Sequence, residues 1–368
     1  MTADALRVGV IGANPDRSWA SAVHLPALAA LNGVELTAVA TTRMASAEDA
    51  ARRWGASHAF ADAYELIAHP DVDVVTVALQ MPRRGDLVES ALAAGKNVYC
   101  EWPFALDAER AARLRDLAAL AGVRTMVGLQ LRKSAALRYF RDLVARGEVG
   151  EVLSVSLTYE TPFSPLLPQR MAWIADTWRG VWPGQNHLAV VGGHVLDMFR
   201  YSTGELSEVS ALLITRTPNL TIIETGERLA VTSPDHILLH GRLESGAAAS
   251  AVIRFGGRTG DGLRIEVRGR EGMLLLRSDS SSLVGAELNV AVARDADLRP
   301  LMVPASYQAM LPGADPAIRN VGEAYAELAR AIRAGKPAEP DFATATSLHR
   351  LLDAIAVSAA TGRRQSLG

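Results

Sequence analysis

Continuous apolar runs alternate with amphipathic ones over the first third of the chain, whereas short alternating runs fill much of the second half. Leu6-Arg7-Val8-Gly9-Val10-Ile11, Val34 to Ala40, Asp71 to Ala78, Asn97 to Cys100 and Arg124 to Gly128 read as strands. The apolar runs among them fit strands buried on both faces. Between them, Ala20 to Leu31, Ser46 to Trp54, Asp86 to Ala94 and a stretch from Asp107 to near Gly122 read as helices. Glu48 and Asp49 stand in a first turn where the helix dipole favours them, and Gly95 closes a helix that cannot continue past it. Strands alternating with helices predict a parallel sheet covered on both faces.

Beyond residue 128 the pattern changes. Ala135 to Arg146 reads as a helix, and Glu151 to Tyr159 alternates apolar and polar residues as a half-buried strand does. From Val209 onward, Ile237–Leu243, Ala249–Phe255, Leu263–Arg268 and Gly272–Arg277 read as strands separated by Gly-containing turns. No helix intervenes, which predicts antiparallel pairing. Residues 317–333 and 343–359 read as two amphipathic closing helices. The fold expected is α/β plus α+β. A Rossmann domain occupies 1–128, and a domain with an open-faced, mainly antiparallel sheet occupies 129–368, its closing helices free to pack back on the first. The outer face of such a sheet is expected to be apolar and to serve a homodimer or homotetramer.

Composition narrows the field. A chain of 368 residues with 49% hydrophobic residues has room for two cores, and a net charge of −2 with scattered Lys and Arg argues against a nucleic-acid surface. Cys100 is the single cysteine, so neither an intrachain disulfide nor a Cys cluster for metal can form, and no other metal ligand set stands out. No apolar run reaches membrane-spanning length and no cleavable leader is evident, so a soluble cytoplasmic protein is expected.

The candidate chemistry begins at Gly12, where the first strand turns into a helix. Strand, Gly turn and helix make a dinucleotide cradle in which helix-terminal N–H groups hold a pyrophosphate. Only the first Gly of a G-x-G-x-x-G is clear; Asn14 stands near the second, and Asn-Pro-Asp-Arg-Ser-Trp lengthens the turn through Ser18 and Trp19 towards His24. An ordinary βα connection is the alternative. The second strand ends in Thr41-Thr42-Arg43, with no carboxylate for the ribose hydroxyls and a guanidinium suited to a 2′-phosphate. NADP is therefore favoured over NAD, the alternative being an exposed loop Arg without a ligand. Gln80 and Pro82 lie at the carboxyl edge of a later strand, as do Glu101 and Trp102. Residues 162–187 carry four Pro and the three indoles Trp173, Trp178 and Trp182, which either pack a long loop or wall a pocket for the CH-rich face of a sugar.

The Gly turn, AALAAGKNVYCEWPFA, GGHVLDMFRYSTG and the ending DFATATSLHRLLDAIAVSAATG together resemble the Gfo/Idh/MocA oxidoreductase family, over nearly the whole chain. The lengthened turn with Ser18-Trp19, the Glu101-Trp102 pair, Leu129-Gln130-x-Arg132-Lys133-Ser134 and Pro234-Asp235-His236 resemble its subgroup around the fungal galactose-pathway repressor. The resemblance implies a nicotinamide cofactor contacted by Gly12, Asn14, Ser18, Trp19, His24, Thr41, Arg43, Gln80, Pro82, Glu101, Trp102 and Arg132. It implies a carbohydrate-like substrate near Trp102, Tyr159, Trp182, His187 and Asp197.

Moving a hydroxyl proton during hydride transfer requires a side chain that can take and return it. The family supplies a Lys, an Asp and a His; here Trp102 stands at the Lys position and Val190 at the Asp position, while His194 matches the His and Asp197 follows on the same helix face. His194 is the leading candidate for proton transfer, against a purely packed His, and Lys133, Tyr159 and His187 are available by type. Three readings stand: an NAD(P)-dependent oxidoreductase for a sugar, polyol or related carbonyl compound with a rearranged acid/base set; a cofactor-binding sensor without catalysis; and a structural relative that binds nothing.

Overall fold

The computed structural model describes residues 5–367 apart from 17, 82, 170–174, 181–183, 258 and 309. The chain divides into two units, residues 1–133 with 309–347 and residues 134–308 with 348–368. The first unit thus runs five residues past 128 and takes in a second segment from near the end of the chain.

The first unit is a six-stranded parallel sheet with β1 (Leu6–Ile11), β2 (Val34–Ala40), β3 (His58–Phe60), β4 (Val74–Val77), β5 (Asn97–Cys100) and β6 (Thr125–Val127) in the order β3-β2-β1-β4-β5-β6. This is the doubly wound order, in which the chain reverses direction beside β1 and opens a crevice at the strands' carboxyl ends. β1 and β4 are buried almost throughout, as their apolar runs require. The caps follow local chemistry: the Asp107 side chain accepts the Arg110 amide at the head of helix Ala108–Ala121, and Gly122 ends it in the left-handed region.

In the second unit β7 (Val152–Thr161), β9 (Leu206–Ile214), β12 (His236–Leu243), β13 (Ala248–Phe255), β14 (Gly262–Gly269), β15 (Gly272–Ser278), β16 (Leu288–Ala293), β17 (Arg299–Leu301) and β18 (Gln365–Ser366) form one sheet, in the order β17-β16-β15-β14-β7-β13-β12-β9-β18. Its pairs are antiparallel except β7 with β13. Leu166–Leu167 (β8), Asn219–Ile222 (β10) and Arg228–Ala230 (β11) make a small second sheet.

Val155, Leu157, Ile237, Leu239, Ile253 and Ile265 are buried on one face of the large sheet, where helices Ala135–Ala145 and Gly193–Thr203 pack. The alternate positions are mixed, not apolar as the sequence suggested: Leu212, Leu238 and Val252 stand in register across three strands, with His240 and Ser250 beside them. Serines, threonines and charges occupy most of the remaining alternate positions.

Among the short elements not legible from pattern are β3 itself and helix Ala63–Ala68, which Asp62 caps through the Tyr64 amide. Among the described residues no helix is long and apolar enough to cross a membrane.

Candidate functional site

In the first unit, Gly12 ends β1 with φ +95°, and a Cβ there would meet Ala78 O at 2.6 Å and Leu79 Cδ2 at 2.8 Å. Glycine is required twice over, by conformation and by close approach. The Gly12 and Ala13 amides both donate to Ala40 O, so the start of the turn is closed on β2. Ser18 Oγ accepts the Ser21 amide and donates to Asn14 O, and Asn14 Oδ1 accepts the Asp16 amide. These side chains shape the lengthened turn before they meet any ligand. The helix after it opens with a π turn, Ala20–His24, and continues as Leu25–Ala29. Its first amides, those of Trp19 and Ala20, have no acceptor within the helix, and the Trp19 indole N–H is buried without an acceptor among the described residues. Such a donor set fits an anionic diphosphate.

At the end of β2, Thr41 Oγ1 donates to Arg43 O at 2.9 Å and lies 2.6 Å from Ser46 Oγ. Arg43 is exposed, and its guanidinium has no carboxylate partner among the described residues. Gln80 is exposed beyond β4, while Pro82 lies outside the described residues.

His24 and Glu101 are brought together, but inside the unit. The imidazole is completely buried, with Nε2 2.9 Å from Glu101 Oε1 and Nδ1 2.8 Å from the Tyr325 hydroxyl, which in turn lies 2.9 Å from Thr76 Oγ1. Both ring nitrogens are taken, so His24 braces the core and does not reach a ligand. This corrects its assignment as a cofactor contact. Gly128 leaves room for the carboxylate, since a Cβ there would fall 2.4 Å from Glu101 Oε1. Arg84, also buried, donates to Leu79 O at 2.7 Å, to Glu101 O at 2.8 Å and to Pro103 O. Burial pulls its pKa down against the pull of Cys100 and Glu101. The loop carrying buried Trp102 and the cis Trp102–Pro103 peptide is therefore held at two of its carbonyls by one guanidinium, which also grips Leu79 O.

Arg132 and Lys133 are buried on the short helix Gln130–Lys133. Lys133 Nζ donates to Glu327 Oε2 at 2.6 Å and to Glu339 O, which ties the ammonium to the unit's second segment and corrects its assignment as a catalytic group.

In the second unit, His187 is 3% exposed, its ring stacked on Phe255 with centroids 4.3 Å apart and edge-on to Trp178 at 4.0 Å. Its Nδ1 lies 3.1 Å from Pro234 O, so that nitrogen carries the proton, and burial pushes the pKa down to about 4. The ring is neutral, with the Nε2 lone pair free of any partner among the described residues. Asp235 accepts the Arg216 and Thr217 amides and His236 Nδ1, which fixes the loop behind Pro234. Trp178 is buried and stacks on Phe163 at 3.5 Å, so it packs the loop, while Trp173 and Trp182 lie outside the described residues. The Tyr159 hydroxyl donates to Ser281 O at 3.1 Å on the buried face of the sheet, and burial raises its pKa. Tyr159 is an anchor there, not a substrate contact.

Asn186 Oδ1 accepts the Ala189 amide and a π turn, Leu188–Gly192, leads into helix Gly193–Thr203. His194 stands half-buried in that helix's first turn; Asp197, one turn on, is 1% exposed and so engaged within the unit instead of offered to a substrate.

Residues 6–129 match the model of the oxidoreductase family with an NAD-binding Rossmann fold, and residues 136–278 match the C-terminal domain of Gal80p. Residues 6–129 thus carry that family's NAD-binding Rossmann fold. It is 26% identical over 302 residues to the galactose/lactose metabolism regulatory protein GAL80 of Saccharomyces cerevisiae, spanning 75% of this chain and 67% of that one. It is 28% identical over 263 residues to levoglucosan dehydrogenase of Pseudarthrobacter phenanthrenivorans, spanning 68% and 65%. A solved NAD binding oxidoreductase from Klebsiella pneumoniae superposes with a TM-score of 0.84 at 26% identity, covering 99% of each chain. Relative to the motifs that the sequence resembles, Glu101, Pro103 and His194 match, whereas Trp102 stands in place of a Lys and Val190 in place of an Asp. Neither replacement can carry a proton.

Proposed function

We propose that this chain is an NAD(P)-dependent oxidoreductase acting on a sugar, polyol or related carbonyl compound. The observation that carries the reading is His194, the one proton-transferring group of the family pattern that is retained, half-exposed in the first turn of its helix. Bound nicotinamide would supply the hydride chemistry. The Gly12 turn and the helix behind it would hold the diphosphate, and Arg43 would bind a 2′-phosphate, so NADP is the preferred form. His194 takes the hydroxyl proton as the carbinol is oxidised and returns it in the reverse direction. Trp102, apolar and buried, keeps water away and takes no part in proton transfer. The levoglucosan dehydrogenase relationship supports a carbohydrate-like substrate.

A sensor is the second reading, favoured by Trp102 and Val190 together and by the relationship to a regulatory protein. Single-turnover absorbance in the reduced-nicotinamide band, with NADP or NAD and a panel of sugars, polyols and their keto forms, separates the two. A signal that falls roughly a hundredfold or more in His194→Ala, with cofactor affinity kept, is the expected result. Tight cofactor binding with no signal across the panel, and a gain only in the double variant Trp102→Lys with Val190→Asp, would establish the sensor.

A further inference from the structure

At the outer edge of the first unit's sheet, two imidazoles and a carboxylate meet away from the dinucleotide turn. His58 begins the edge strand β3, while His69 and Asp71 lie in the link between helix Ala63–Ala68 and β4. The imidazole centroids are 4.2 Å apart, and one ligand atom from each of the three residues lies within 4.8 Å of the other two. We infer that His58, His69 and Asp71 form a binding site for a d-block dication of the zinc class, with water completing its coordination.

The distances favour such an ion. Ligand atoms about 2.0–2.1 Å from a tetrahedral metal stand roughly 3.3 Å from one another. His58 Nε2 and Asp71 Oδ2 are already 3.5 Å apart, so the third ligand needs to close by at most about 1.5 Å, within the reach of a side-chain rotation in a half-exposed site. Arg7 Nη1 pairs with Asp71 Oδ1 at 2.7 Å, which leaves Oδ2 turned to His58. The guanidinium is also the cation that a metal has to tolerate beside it, and the Asp71 amide, 3.2 Å from His69 Nδ1, is the donor it has to displace or turn away from. Two imidazoles and one carboxylate suit zinc, cobalt, nickel or copper; magnesium and calcium prefer oxygen alone. Bound there, the ion would staple the edge strand to the connection that leads into β4.

The test is a Co2+ titration of the tag-free full chain after chelation, read by the visible d–d band and by calorimetry, with Zn2+ as competitor. One Co2+ per chain, displaced by Zn2+ and not by Mg2+, is expected. His58→Gln and, separately, His69→Gln should each weaken binding at least tenfold with an unchanged circular dichroism spectrum, whereas His240→Gln, on the second unit's sheet, should not. No d–d band, an affinity unmoved in both variants, or equal displacement by Mg2+ would overturn the site.

Discussion

His187 is a buried base that the fold holds neutral, and acid should expose the cost. Its environment, Phe255 on one side and Trp178 on the other, pushes its pKa from 6.5 to about 4. At pH 7 the imidazole is neutral in the folded chain and largely so in the unfolded one. As the pH falls below 6.5 the unfolded chain takes up a proton that the folded chain refuses until about pH 4, so stability is lost across that window and not above it. At about 1.4 kcal/mol for each pH unit, the loss is about 2 kcal/mol between pH 7 and pH 4.5, and about 3 kcal/mol once the folded imidazole titrates. His187→Asn is the informative variant, because its amide can still donate to Pro234 O but cannot titrate. Urea unfolding followed by tryptophan fluorescence, run on both proteins from pH 7 to pH 4.5, cancels the carboxylates that titrate in common. Wild-type stability should fall by about 2 kcal/mol more than that of the variant over this range. Parallel profiles would mean that the imidazole is hydrated or already charged in the folded chain, and the argument from its burial would fail.

Two further outcomes follow from the first unit. Arg43→Ala should weaken NADP roughly ten- to a hundredfold and leave NAD unchanged, as the loss of one charge-assisted contact requires; equal losses in calorimetry would show that Arg43 does not read the phosphate. Lys133→Met should leave Glu327 and the Glu339 carbonyl without their cation and cost about 1–3 kcal/mol in urea unfolding, while a hundredfold loss of turnover at full stability would return Lys133 to the chemistry.

The longer strands of the two large sheets were legible because periodicity is a local property. The run at β1 and the alternation along β12 to β15 give the elements to within a residue or two. What periodicity does not carry is pairing: nothing in Val152–Thr161 or Ala248–Phe255 announces that β7 and β13 run parallel inside a mostly antiparallel sheet. For the candidate site, sequence offers residue types and positions but not the direction in which a side chain faces. Gly12, Arg43 and His194 could be singled out by type and position. Whether a polar side chain faces a cleft or the core depends on a partner far along the chain, as with His24 and Tyr325, 301 residues apart, or Lys133 and Glu327, 194 apart. His58, His69 and Asp71 escape notice for the same reason, since a strand and a loop bring them together at no recognisable ligand spacing.

The discontinuity of the first unit bears on how the chain is made. His24, Glu101 and Thr76 emerge early from the ribosome, but Tyr325, which completes their hydrogen bonds, follows only after residues 134–308. At about 5–20 residues per second, the early segment waits on the order of ten seconds or more with a buried acid and imidazole missing their hydroxyl partner. The intervening unit is synthesised in that interval and has its strands β7 to β17 available to pair. A ribosome stalled before residue 309 therefore holds a first unit in which His24 and Thr76 still lack the Tyr325 hydroxyl.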